Sequence, residues 1–177
     1  MPRSRYLVHG DAQPYFLTCT VINWLPVFTQ PQAAEIVLDS WRFLQQEGRL
    51  VLYGFVILVN HVHMVASSSD LSKTIGEFKS FTARELLKLL GQRSARTLLW
   101  QLTRGRSPSD PQRVRHLWRP GSHPQEILGE DMMRQKIEYI HQNPVMRGYV
   151  DDPLHWRLSS ARNYAGMEGV IAVKTDW

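Results

Sequence analysis

The order of apolar runs in this 177-residue chain predicts an α+β sandwich, with helices packed on one face of a largely antiparallel sheet. Three observations carry that prediction. Strand-like runs dense in β-branched and aromatic residues occupy 14–23, 49–59 and the stretch from His61 onward. Apolar stripes of helical period lie between and after them, giving the order strand, helix, strand, strand, helix, strand, helix. No internal repeat and no linker divides the chain, so residues 1–177 read as one domain with its own core.

The first strand is PYFLTCTVIN, Pro14 to Asn23. A helix follows in PQAAEIVLDSWRFLQQEG, with Pro31 suited to its first position, Val37, Trp41 and Leu44 on its apolar stripe, and Gly48 as its stop. RLVLYGFVILV is apolar on both faces, which predicts a central strand. Asn60 then offers a turn before the strand that holds His61 and His63. Asp70 is a good N-cap for a second helix running to Gly91, whose buried stripe is Ile75, Phe78, Thr82, Leu86 and Leu89. An arginine-rich loop comes next, marked by Gly105, Pro108 and Pro111, and VRHLWRP (114–120) at its end has the makings of a short strand. DMMRQKIEYIHQ, Asp131 to Gln142, is the third helix, with Met133, Ile137 and Ile140 toward the core and Pro144 as its terminator.

Composition narrows the function classes. A chain 43% hydrophobic and 21% charged is an ordinary soluble globular protein, and its single cysteine, Cys19, excludes an internal disulfide and a cysteine-based zinc site. FVILV is too short to cross a bilayer and the N-terminus lacks a signal-peptide core, so a cytoplasmic protein is expected. The net charge is +5, and it is unevenly placed. Arg93, Arg96, Arg104, Arg106, Arg113, Arg115 and Arg119 face one acid, Asp110, between Gln92 and His123. Such a segment attracts a polyanion, for which nucleic acid is the usual candidate, although a solvated loop would carry the same arginines.

Side chains alternate across a strand, so His61 and His63 share one face while Val62 and Met64 take the other. Imidazoles on Cα atoms roughly 7 Å apart can converge on one metal ion, or can simply be hydrogen-bonded on an edge strand. On the third helix Tyr139 lies about a third of a turn off the apolar stripe, and Lys136 and Asn143 fall near the same side. A boundary tyrosine would look the same. Together, two strand histidines, a helix tyrosine and a basic segment are the parts of a metal-assisted phosphoryl-transfer site.

The sequence resembles the HUH single-tyrosine transposases of the insertion-sequence-200-like superfamily, in particular the REP-associated tyrosine transposases. The resemblance rests on NHVHMV (60–65), FKSFTAR (78–84), LWRPGSHPQEI (117–127), KIEYIHQNPVMRGYV (136–150) and WRLSSARNYAG (156–166). It spans about 14–166 and leaves 167–177 as a tail. It implies a ferredoxin-like sheet of the HUH endonuclease type with the histidine pair on its surface, and a transposase that cuts and rejoins single-stranded DNA near hairpins. It implies His61 and His63 as metal ligands, Asn143 as the third, Mg²⁺ or Mn²⁺ as the cofactor, and Tyr139 as the nucleophile that forms a 5′-phosphotyrosine link. Relatives include dimers and monomers, so a homodimer is one expectation.

Lys79 and Arg84 in FKSFTAR are candidates for holding backbone phosphate, as are Arg104, Arg106, Arg119, Lys136 and Arg147; Trp118 is a candidate for stacking on an unpaired base. Two other functions use the same residues: a descendant that binds structured nucleic acid without cutting it, and a metal-dependent phosphoesterase that employs water.

Overall fold

The computed structural model describes residues 13–103 and 117–177. Its elements in chain order are β1 (Tyr15–Thr20), α1 (Pro31–Gln46), β2 (Val51–Ile57), β3 (His61–Ser67), α2 (Leu71–Gln92), α3 (Arg96–Thr103), β4 (Gln125–Glu126), α4 (Glu130–Met146) and α5 (Ala161–Tyr164). The four strands form one sheet in the order β2-β3-β1-β4, and every pairing is antiparallel. The α+β sandwich on an antiparallel sheet is therefore the observed architecture.

Strand alternation separates two apolar layers. Leu17, Cys19, Val62 and Met64 point to one side and meet Val37, Trp41 and Leu44 of α1 and Ile75, Phe78 and Leu86 of α2. Trp41 lies edge-on to Phe55 and stacked on Phe78, with ring centroids 5.4 and 5.7 Å apart. Each apolar side chain fully buried there contributes roughly 1.5–3 kcal/mol. Phe16, Val56 and Val65 point to the other side and meet Met133, Ile137 and Ile140 of α4. The expectation that helices share one face holds for α1 and α2; α4 takes the second face. That arrangement sandwiches the histidine pair, because His61 and His63 alternate onto the α4 side with Val65.

Local signals behave as their chemistry requires. Asp70 caps α2 by accepting from the backbone amide of Lys73 at 3.0 Å, and Pro31 opens α1. Gly48 adopts φ +65 just past α1, a conformation costly for any residue with a Cβ. On α2 the buried stripe ends at Leu90, with Leu89 half-buried beside it.

Four expectations need correction. The run through β2 is an edge strand of the sheet, yet its outer edge is covered: Ile57 N donates to Leu158 O at 2.8 Å, Ser160 N to Phe55 O at 3.0 Å, and Lys174 N to Leu52 O at 2.8 Å. Helices on both faces and this C-terminal strap explain its apolar composition. The segment after α2 holds a helix, α3, where a loop is expected; Leu98 and Leu99 are half-buried against the core and Leu102 is buried. The helix carrying Tyr139 runs through Pro144 to Met146. A proline in the last turn forfeits a single backbone bond, and the burial of Asn143 and Pro144 holds the turn in place. Finally, the first strand stops at Thr20, and the chain then turns through a 3₁₀ segment, Ile22–Trp24. Of the strand expected over 114–120, Leu117 and Arg119 bond the backbone of Ile22 and Thr20, while 114–116 and the Gly105–Pro111 stretch lie outside the described residues.

Candidate active site

The register of β1 on β3 builds the centre of the site. Thr18 pairs with His63 and Thr20 with His61. Thr18 Oγ1 and His63 Nδ1 share a hydrogen bond of 2.9 Å. The His61 Nδ1–H donates to Asn60 Oδ1 at 2.6 Å, while Asn60 Nδ2 donates to Trp24 O at 3.2 Å and so fixes which way the carboxamide faces. His61 is thereby held as the tautomer whose Nε2 carries a lone pair. The two rings are 4.8 Å apart at their centroids and nearly perpendicular, at 84°. Only 2% of His61 and 5% of His63 is exposed, so the pair is buried rather than displayed on the sheet surface.

What buries them is aromatic. Phe16 stacks on His63 with centroids 5.4 Å apart and planes at 21°. Tyr139 comes down from α4 with its ring 5.4 Å from His63 and 5.8 Å from Phe16, edge-on to both, and remains 41% exposed. Lys136, one turn earlier, places its Nζ 4.9 Å from the Phe16 centroid. Asn143, one turn later, is buried, and its Oδ1 accepts from Arg147 Nε at 2.8 Å. Tyr139, Lys136, Asn143 and Arg147 thus gather over the histidines as helical spacing places them.

Burial is the main force on the imidazoles. It pushes His63 down to about 3, helped by the charges of His61, Arg147 and Lys136, and pushes His61 down to about 4, helped by Arg147. Both rings are neutral at physiological pH and therefore fit for ligation. His63 Nε2 is buried with no hydrogen-bond partner, which is how an imidazole kept for a ligand looks. The two histidines fit a divalent cation. Asn143 fits less well, since its oxygen already serves Arg147. Among the described residues no group of three His, Cys, Asp or Glu side chains is arranged around a metal position, so further ligands would be neutral oxygens or phosphate.

Other candidates separate from this centre. Trp118 is 6% exposed, packs between Phe28 and Phe78, and donates from Nε1 to Thr82 Oγ1 at 2.9 Å. It is a core residue whose ring is largely taken up by packing, though its edge lines the cleft with Arg84 and Arg119. Lys79 Nζ donates to the backbone oxygens of Arg119, at 2.9 Å, and Gly121, so it fixes the loop that carries Arg119. Arg84 is exposed beside Phe81 on α2 and lines a cleft of about 730 Å³ with Arg119. Arg104 and Arg106 lie outside the described residues. Cys19 is buried, which pushes its thiol up to about 11 and leaves it inert.

Sequence reasoning missed Thr18, Phe16, Asn60 as an orienting group, and Trp24. Trp24 is 51% exposed and stands 5.7 Å from the His61 ring, with the Arg119 guanidinium 5.8 Å from its own centroid. The backbone of Asn23 and Trp24 is left-handed at φ 56 in both. Each such residue costs roughly 1–2 kcal/mol.

An antiparallel sheet with a helix laid across its buried histidine pair is a fold found among solved structures. In particular, the chain superposes on a REP-associated tyrosine transposase bound to a REP hairpin, with a TM-score of 0.66 at 17% identity over 100% of this chain and 94% of that one. The chain has that protein's fold. A candidate transposase from Deinococcus radiodurans R1 aligns with a TM-score of 0.43 at 17% identity, over 81% of this chain and 97% of that one, and at that score adds nothing. Comparison with protein-family models and with curated proteins gives no match. Among the described residues no helix is long and apolar enough to cross a membrane.

Proposed function

We propose that this protein cuts and rejoins single-stranded DNA beside hairpins, with Tyr139 as nucleophile and His61 and His63 holding Mg²⁺ or Mn²⁺. The observation that carries this reading is the seating of Tyr139: a half-open phenol on α4, 5.4 Å from a buried, neutral histidine that has an unpartnered nitrogen. The fold adds support, since the solved transposase that shares it is bound to a hairpin.

The Tyr139 oxygen, its proton released to solvent, attacks the scissile phosphorus in line; the Tyr–O–P bond forms as the P–O3′ bond breaks, and the departing 3′ oxygen takes a proton back from solvent. A free phenol titrates near 10, so its anion needs a positive neighbour at neutral pH. Lys136, held over Phe16, supplies that charge, and Arg147 can hold a non-bridging phosphate oxygen. His63 is too weak a base to take the phenol proton, which suits it to ligation. When bound, the cation would polarise the phosphodiester. The 5′-phosphotyrosine link conserves the bond energy, and a second 3′-hydroxyl reverses the step. The arginine-rich segment with Arg104 and Arg106, together with Arg84 and Arg119, would draw in the DNA backbone.

Incubation with a library of hairpin-bearing single-stranded oligonucleotides, followed by denaturation, tests this. Wild-type protein should carry covalently attached DNA mapping to Tyr139. Tyr139→Phe should bind the same DNA, form no adduct and cut nothing. His61→Ala or His63→Ala should stop cleavage with hairpin binding largely intact, as should a chelator on the wild type. Cleavage by Tyr139→Phe near the wild-type rate would instead identify a phosphoesterase that uses water. Hairpin binding without any wild-type cleavage would identify a non-catalytic binding protein.

A further inference from the structure

We infer that Trp24 is a base-stacking platform at the mouth of the histidine site, taking an unpaired nucleobase next to the scissile phosphate; this rests on the proposed reaction on single-stranded DNA. Three independent features of the molecule support it.

The first is position. The indole stands against His61 at 5.7 Å, with ring planes at 80°, and His61 in turn is 4.8 Å from His63, which Tyr139 touches. A nucleotide whose phosphate lies at Tyr139 and the histidines therefore has its neighbour within reach of Trp24.

The second is backbone. Asn23 and Trp24 are both left-handed, a conformation disfavoured for residues with a Cβ and found where the surroundings over-determine it. Asn60 Nδ2 holds the Trp24 carbonyl at 3.2 Å, and Asn23 Nδ2 reaches Gln101 O on α3 at 3.4 Å. The same Asn60 that orients His61 thus anchors Trp24, which couples the platform to the site. A large apolar ring that is held half open on such a turn gains little from the core it avoids.

The third is charge. The Arg119 guanidinium lies over one face of the indole, 5.8 Å from its centroid, and Lys79 ties the Arg119 and Gly121 carbonyls to α2. Beyond Arg119 opens the cleft lined by Gly76, Ser80, Ala83, Arg84 and Gly121. An indole with an arginine over one face leaves its exposed part for a base and the guanidinium for the phosphate, and so takes a nucleotide without reading sequence. A strand leaving the site across Trp24 then meets Arg119 and Arg84 in turn. The rival role is that Trp24 merely covers His61.

The test compares two probes of equal charge: a DNA hairpin with short oligothymidine tails on both sides, and the same hairpin with abasic tails. Wild-type protein should bind the thymidine-tailed probe about tenfold or more tightly than the abasic one. Trp24→Leu should lose that preference while binding the abasic probe as the wild type does, and Trp24→Phe should restore much of it. Equal binding of both probes by the wild type overturns the platform, as does Trp24→Leu weakening both by the same factor, the result a cover over His61 would give. Should Trp24→Leu fold poorly, Trp24→Met, which keeps bulk without a ring, takes its place: loss of the thymidine preference supports the platform and its retention overturns it. Failure of the wild type to bind either hairpin would count against the DNA reading itself, and would overturn this inference with it.

Discussion

Thr18 and His63 face each other across β1 and β3, and one hydroxyl sets the orientation of a buried imidazole. Thr18→Val keeps the shape and removes the oxygen, leaving His63 Nδ1 buried without a partner. The expected cost is about 1–3 kcal/mol, visible as a lower midpoint in urea denaturation, with Thr18→Ser recovering most of it. If His63 ligates a cation, Mn²⁺ affinity should also fall about 10–100-fold. Unchanged stability in Thr18→Val would show that the contact does not hold the ring. At this scale the centre was half legible. Two histidines separated by one valine in an apolar strand announce a shared face, and Tyr139 sits off the stripe of its helix by simple rotation. Thr18 and Phe16 were not legible, because their roles depend on how β1 registers on β3. Trp24 was hidden by a strand reading that ran too far: nothing local in VINW marks two successive left-handed residues.

Among the elements, α4 matters most, since it carries Tyr139 over the sheet. Its approach is set by Gly54 on β2: a Cβ there would clash with Ile137 Cδ1 and stand 3.3 Å from Ser160 Oγ. Ile137 is buried, so turning its methyl aside disturbs the layer under α4, and Gly54→Ala should destabilise the protein by roughly 1–3 kcal/mol. Ile137→Val alone should cost about 0.5–1.5 kcal/mol, but it removes the clashing methyl. The double variant should be more stable than the sum of the two losses implies, and strict additivity in thermal or urea unfolding would refute the close-packing account. Helices with clean stripes and caps were readable: α1 from Val37, Trp41 and Leu44, α2 from Asp70 and its apolar series. α3 was obscured because the arginines and prolines after Gln92 outweighed Leu98, Leu99 and Leu102. The edge position of β2 was obscured too, since a strap supplied from Leu158 to Lys174 makes an edge strand look central.

For the whole molecule, burial of neutral histidines ties stability to pH. His61 and His141 are pushed down to about 4 and His63 to about 3, in each case chiefly by burial. His141 shares a 2.9 Å hydrogen bond with Ser160 Oγ, which also accepts from Phe55 N, so it belongs to the joint between α4 and the C-terminal strap. An unfolded chain binds protons on these rings below about 6.5, whereas the folded chain does so only near 3–4. Between those values the unfolded state holds more protons, and stability falls as pH falls. The loss begins near 6.5, grows through the interval and levels off below the folded values; above 6.5 these groups add no pH dependence. Surface ion pairs such as Arg42 with Glu35 and Asp39 are worth little. Urea denaturation at pH 7 and pH 5, both in chelator so that no cation competes with protons at the pair, should show a loss of order 1 kcal/mol per histidine. His141→Gln should remove its own share of that loss while leaving the rest. A midpoint that does not move between the two pH values would mean that the rings open to water readily, and that the dry pocket under Tyr139 is not maintained in solution.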